Sequence, residues 1–164
     1  MKILNNKKLF EELLNTQEQY PMLCLQLEIS SKKNKNKMSD AKEAVDLYTK
    51  ILKTKKTSLF YFYRALNYSI IKDNTNAIAD YTSAIKLNKK HSSAYINRGM
   101  CLFELGEYTK AAKDFTASLK IGSDYMTYLS RAETYFHMNK FDEAKADFLE
   151  AIKLKKESEL SLKK

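Results

Sequence analysis

The sequence repeats itself three times at a spacing of 33 to 34 residues, which restricts the possible folds more than any other feature. The segments FYFYRALNYSIIKDNTNAIADYTSAIKL, AYINRGMCLFELGEYTKAAKDFTASLKI and TYLSRAETYFHMNKFDEAKADFLEAIKL align without internal gaps. The positions that match in type include Tyr61, Ala65 and Ala77, then Tyr95, Gly99 and Ala111, then Tyr128, Ala132 and Ala144. A unit of this length cannot bury its apolar face alone, so the period predicts a stack of similar units.

The residues that make tight turns are scarce in this chain. It contains three glycines and one proline in 164 residues, far fewer than a sandwich, a barrel or a doubly wound sheet requires. Hydrophobic residues make up 44% and charged residues 30%, which are values typical of a globular protein. We therefore expect an all-α protein with a packed core.

Small residues beside large aromatic ones, in a unit of about 34 residues, resemble the tetratricopeptide repeat (TPR). This resemblance implies an all-α, TPR-like α-solenoid of stacked antiparallel helix pairs, with three clear repeats and one degenerate N-terminal repeat. It covers residues 58–157, as units at about 58–91, 92–124 and 125–157. A short basic tail follows at 158–164.

Residues 1–57 are predicted to hold an N-terminal amphipathic helix and the degenerate TPR-like helix pair. The helix runs from Asn6 to Tyr20 and has leucine and phenylalanine on one side. A Lys/Asn-rich loop at 32–38 accounts for the extra length between the two helices of the degenerate pair. Asp40 and Glu43 have the spacing of an N-cap pair that opens the second of these helices.

An arginine and an aspartate recur 16 residues apart at the same place in each clear unit. The pairs are Arg64 and Asp80, Arg98 and Asp114, and Arg131 and Asp147. A catalytic site is normally made once, so a pair that recurs with the fold is predicted to be structural. We expect each arginine on a first helix to bind the aspartate on the second helix of the same unit.

The first helices of TPR units line a concave groove, so the resemblance also implies a site for a peptide. The expected groove residues are Phe62, Tyr63, Leu66 and Ile70, then Ile96, Asn97, Met100 and Phe103, then Met126, Leu129, Glu133, Phe136 and His137. These helices are apolar both on the face that packs between units and on the opposite face, and an exposed apolar face of this size normally marks an interaction site. Either a partner peptide or the chain's own terminal helix is expected to cover it.

TPR co-chaperones that grip an acidic chaperone tail use lysine, asparagine and arginine at set groove positions. The corresponding residues here are Phe62, Leu66, Asn97, Met126 and Ser130. Only Asn97 matches, so a carboxylate would meet apolar side chains with too few donors. The carboxylate-clamp function is therefore disfavoured.

The sequence gives little sign of an enzyme. It lacks a glycine-rich phosphate loop, and His91 and His137 do not have metal-ligand spacing. We expect no cofactor, no metal and no small-molecule substrate. The absence of a long apolar run or a signal-peptide core favours an intracellular, most simply cytoplasmic, protein.

The charge of +9 is unevenly spread. Lys32 to Lys56 holds nine lysines against three acidic residues, which accounts for two thirds of the net charge. The leading interpretation is a protein-interaction scaffold that binds an apolar helical or extended peptide in the groove, and that could serve as a subunit or assembly factor of a larger complex. The alternative is an adaptor for RNA or an acidic membrane surface that uses this basic segment.

Overall fold

The computed structural model describes residues 37–161, and only the backbone of Lys37. In this range every regular element is an α-helix: α1 Lys37–Leu52, α2 Ser58–Ile70, α3 Asn74–Leu87, α4 Ser92–Glu104, α5 Tyr108–Ile121, α6 Tyr125–His137 and α7 Phe141–Ser161. The predicted helix at Asn6 to Tyr20, the first helix of the degenerate repeat and most of the loop at 32–38 lie outside the described residues.

Residues from Ala41 onward form one compact unit, and its helices pack in sequence order. The pairs α2–α3, α4–α5 and α6–α7 make the largest contacts, and α3 packs on α4 as α5 packs on α6. The first helices α2, α4 and α6 also touch one another along the stack, whereas successive second helices touch less. We call the side of the stack that α2, α4 and α6 share the inner wall.

The helix starts follow from capping residues. The side chains of Thr57, Asp73 and Asp124 accept hydrogen bonds from backbone N–H groups of the first turns of α2, α3 and α6. The prediction that Asp40 caps α1 is wrong, because α1 begins at Lys37 and Asp40 lies in its first turn. There the carboxylate still favours the helix through its position at the positive end of the helix dipole.

The turn inside each pair requires a residue with left-handed backbone. Gly106 has φ +76°, and Asn139 and Lys72 have φ 59° and 63° at the equivalent places. The N–H of the next residue bonds the carbonyl five residues back, as from Glu107 to Leu102 at 2.9 Å. This is the Schellman arrangement, which a glycine makes without steric cost and a lysine does not.

Close helix crossings explain the recurring small residues. A Cβ added at Gly99 would come within 2.9 Å of the ring of Phe115 on the paired helix. Ala65 and Ala132, at the equivalent positions, are fully buried. The large side chain that fills each crossing is therefore matched to a residue with little or no side chain.

Candidate functional site

Three of the predicted groove residues on α4 and α6 are large, apolar and exposed: Met100 is 49% exposed, Met126 56% and Phe136 58%. Ile96, Phe103 and Leu129 lie beside them and are partly buried, while Glu133 is exposed. The wall can thus offer van der Waals contact to an apolar ligand, with one charged group beside it.

The predicted groove residues on α2 are less available. Phe62 is buried, with its ring centroid 4.7 Å from that of His91 and 5.8 Å from that of Tyr81. Tyr63 stacks on Tyr48 of α1 at 6.1 Å. Leu66 and Ile70 are partly buried. The structure thus leaves Phe62 in the core, because its side chain fills the space beneath the turn that follows α3.

Aromatic rings cluster at the end of the wall where α4 and α6 finish. The imidazole of His137 stacks on Tyr108 with centroids 5.1 Å apart, and Phe103 meets both rings edge-on at 5.2 and 5.3 Å. Phe136 continues the cluster to Phe141 at 5.6 Å. These contacts fix the rings in place, so the exposed face of Phe136 would be presented with little loss of entropy on binding.

The three arginine–aspartate pairs are two-point ion pairs in the structure. Arg98 donates from Nε and Nη2 to the two carboxylate oxygens of Asp114, both at 2.7 Å. The pairs of Arg64 with Asp80 and of Arg131 with Asp147 have the same geometry, at 2.6 to 2.8 Å. The aspartate hydrogen bond is the largest cause that raises the pKa of each arginine.

A third residue completes each pair and was not foreseen from the sequence. Nη1 of each arginine donates to a threonine on the second helix of the preceding pair; the threonines are Thr49, Thr82 and Thr116, at 2.9 to 3.0 Å. Each guanidinium also lies 5.5 to 5.9 Å from the centroid of one or two tyrosine rings on its own helix. The threonines recur with the repeat period, which is the signal that could have found them.

Ser58 and His91 form a contact that has the appearance of a catalytic dyad. Ser58 Oγ lies 2.8 Å from His91 Nδ1 and also donates to the carbonyl of Ala84 at 2.8 Å. A hydroxyl has one proton, so Nδ1–H of the histidine must be the donor to the serine. A nucleophilic serine needs the opposite direction of donation, so this pair ties α2 to the turn before α4 and does not activate the hydroxyl.

Two other titratable groups in the core are shifted by burial. Burial raises the pKa of the Cys101 thiol and of the Tyr81 hydroxyl, so both stay protonated at neutral pH. Among residues 37–161, no group of three or more histidine, cysteine, aspartate and glutamate side chains is placed to hold a metal ion. None of the helices in that range is long and apolar enough to cross a bilayer.

Comparison with known families and structures agrees with this architecture. Two family models described as tetratricopeptide repeat match residues 72–125 and 127–158. No curated protein sequence is significantly similar to the chain. The two family-model matches together span more than half of the 164 residues.

Several solved structures share the fold. A crystal structure of MamA superposes with a TM-score of 0.73 at 20% identity, over 91% of this chain and 86% of that one. Another MamA structure gives 0.68 at 22% identity over 71% of this chain, which spans 64% of that chain.

Two isolated TPR domains are also similar. The Arabidopsis OM64 TPR domain gives a TM-score of 0.59 at 28% identity, over 62% of this chain and 84% of that one. The second TPR domain of Spaghetti (RPAP3), bound to the HSP90 peptide SRMEEVD, gives 0.58 at 24% identity, over 64% of this chain and 98% of that one. With its helix pairs, its repeat period and these family matches, the chain belongs to the tetratricopeptide repeat family.

Proposed function

We propose that this protein is an interaction scaffold that binds an apolar helical or extended peptide segment against the inner wall formed by α4 and α6. TPR proteins are typically non-catalytic interaction modules, and the chain belongs to that family. The observation that carries the finer proposal is the exposure of Met100, Met126 and Phe136 on one wall. A ligand that covers these side chains gains binding free energy, because it removes their apolar surface from water.

The two methionines suit an interaction with a helical ligand. A methionine side chain is unbranched and flexible, so it adapts its shape to an apolar surface. Burial of one large apolar side chain contributes about 1.5–3 kcal/mol before ordering costs. Three such anchors are therefore enough for a specific complex, provided the partner is already close to its bound conformation.

The peptide in the RPAP3 structure is acidic, and an equivalent ligand is not favoured here. Asn97 is the one residue that matches the carboxylate-clamp pattern, and its amide nitrogen donates to the carbonyl of Ser93 at 2.8 Å. The hydroxyl of Ser130 donates to the carbonyl of Met126 at 3.1 Å. The hydroxyl proton of Ser130 is engaged within its own helix, and the amide of Asn97 has only one further N–H. A carboxylate in the groove would therefore lack the partners that its burial requires.

One observation favours the electrostatic alternative. Lys53, Lys86, Lys120 and Lys153 recur with the repeat period, and all four are exposed. A phosphate chain that runs along the stack would meet one such lysine in each unit. Lys86 and Lys120 lie in the last turns of α3 and α5, where they also complement the helix dipole without a ligand. We therefore keep the groove as the leading site.

The deciding experiment uses the native protein isolated with its companion, which is then purified and rebound to variants of the full chain. The groove proposal predicts that Met100→Glu and Met126→Glu each weaken binding at least about tenfold, since a carboxylate would be buried against an apolar ligand. Lys113→Glu on the outer face of α5 is the matched control and should bind normally.

Salt separates the two functions in the same assay. Groove binding should change little between low and high ionic strength, whereas contacts to phosphates weaken steeply as salt rises. Unchanged affinity of both methionine variants would contradict the groove proposal. A steep salt dependence, together with weak binding of Lys86→Glu, would support the electrostatic alternative instead.

A further inference from the structure

The outer face of α7 is the exposed end of the core. Tyr81, Phe115 and Phe148 occupy the same position in the three pairs, yet their exposures are 0%, 1% and 41%. Tyr81 packs in one cluster with Ala94 and Cys101 of α4, the first helix of the next pair, and α6 packs in the same way on α5, which carries Phe115. In the described part of the chain, no helix covers α7 in this way.

Other apolar residues extend this face. Leu149 is 59% exposed, and Phe141 and Ile152 are exposed as well. Residues 141, 148 and 152 lie on one side of the helix, with Leu149 beside them. The helix also continues for 21 residues, compared with 14 for α3 and for α5, so the face extends beyond the length of the other second helices.

The internal interfaces show what kind of helix covers such a face. Where α4 packs on α3, it presents Ala94 and Cys101, which are buried and seven residues apart. Where α6 packs on α5, Thr127 and Thr134 take the same places and are also buried. A covering helix therefore has small residues at positions i and i+7, which let it approach the large ring below.

The arginine of the covering helix lies between these small residues, at position i+4. Arg98 of α4 donates to Thr82 of α3, and Arg131 of α6 donates to Thr116 of α5. The equivalent residue of α7 is Leu149, which cannot accept a hydrogen bond. An incoming arginine would lose an acceptor there, whereas a large apolar side chain would contact the leucine.

Charge distinguishes the face further. Ile78 and Ala112 of the internal helices are replaced in α7 by Lys145, which is exposed. A partner helix with an acidic residue opposite Lys145 would complement it.

We propose that the outer face of α7 docks one amphipathic helix of a partner protein, in the place that a further first helix would take. This helix has small residues at i and i+7 against Phe148, a large apolar residue at i+4 against Leu149, and an acidic flank beside Lys145. The site is separate from the groove, so the protein can hold two segments at once.

The test uses a peptide of known docking geometry, the sequence of residues 124–138, which contains α6. One synthetic peptide keeps Arg131 and the other has Arg131→Leu. Binding to the full chain is measured by fluorescence anisotropy. We expect the leucine peptide to bind about tenfold or more tightly than the arginine peptide, since only the arginine is left without an acceptor at Leu149.

The reciprocal change in the protein makes the test specific. Leu149→Thr restores the acceptor, so the preference for the leucine peptide should fall about tenfold or reverse. Leu149→Glu should abolish binding of the leucine peptide, while Met100→Glu in the groove should leave it unchanged. Melting temperatures of the exposed-site variants check that each one is folded.

Three outcomes would overturn the proposal. One is equal affinity of the two peptides for the wild-type chain, or a preference that does not respond to Leu149→Thr. Another is absence of binding at millimolar peptide. The third is sedimentation showing a dimer that Leu149→Glu dissociates, which would make a second copy the occupant.

Discussion

Arg98→Met is the perturbation that tests most sharply how the repeats are joined. The side chains of Arg98 and Asp114 are 19% and 8% exposed, and two short hydrogen bonds link them. Removing the arginine leaves a buried carboxylate without its cation and Thr82 without its donor. Loss of one partner of a buried pair costs about 3–5 kcal/mol, and we expect the lower end because Arg98 retains some contact with water.

The assay is thermal and urea unfolding followed by helical circular dichroism. A loss of about 3 kcal/mol corresponds to a fall in melting temperature of roughly 6–12 °C for a chain of this size. Partner affinity should stay near the wild-type value, since the pair lies between helices and away from Met100. Lys110→Met is the control: its ion pair with Glu107 is exposed on both sides, at 64% and 49%, so its melting temperature should match the wild type.

A double-mutant cycle separates the pair from the side chains themselves. Arg98→Met combined with Asp114→Ala removes both charges and leaves no buried carboxylate. The double variant should therefore lose about 2–3 kcal/mol less unfolding free energy than the two single losses added together. Additive single effects, or an Arg98→Met loss below about 1 kcal/mol, would refute the reasoning. Lost partner affinity with normal stability would indicate that Arg98 takes part in binding and not in holding the helices together.

Three further predictions concern the turns and the core. Lys72→Gly should raise the free energy of unfolding by about 1 kcal/mol, because it removes the steric strain of a side chain in the left-handed conformation. Gly106→Ala should lower the free energy of unfolding by a similar amount. Melting temperatures that move the other way would contradict this. Burial lowers the pKa of His91, so as the pH falls the histidine binds a proton in the unfolded chain before it does so in the folded one. The free energy of unfolding should therefore be highest above the unfolded pKa of about 6.5 and should decrease as the pH falls below it. His91→Gln should flatten that part of the pH profile. Cys101 is buried with a raised pKa, so a thiol reagent at neutral pH should modify it only as fast as the fold opens, and rapid labelling of the native protein at this residue would be inconsistent with the packing.

The sequence predicts the helix pairs well because the apolar positions recur with both a helical period and a unit period. It also gives the place of the arginine and aspartate in each unit, since their separation of 16 residues is constant. What it did not give is the register between units. That register decides which threonine hydroxyl accepts a hydrogen bond from each arginine. It depends on how two helices of neighbouring units pack together.

Two residues show the limits of pattern alone. Phe62 occupies a groove position in the repeat, but its ring packs against Tyr81 and His91 in the core. Lys72 has a side chain that disfavours left-handed backbone, yet it adopts the same conformation as Gly106. In both cases the packing of the pair fixes the conformation, and the residue follows even where its own preference differs. The unit boundaries and the binding role of the wall stay predictions.

The most direct measurement of the groove proposal is an NMR spectrum of the full chain labelled with ¹³C at the methionine methyl groups, recorded with and without the purified partner. Met100 and Met126 are the exposed methionines of α4 and α6. The proposal predicts that the methyl signals of both residues shift on binding. Complex formation with no change at either methyl signal would contradict it.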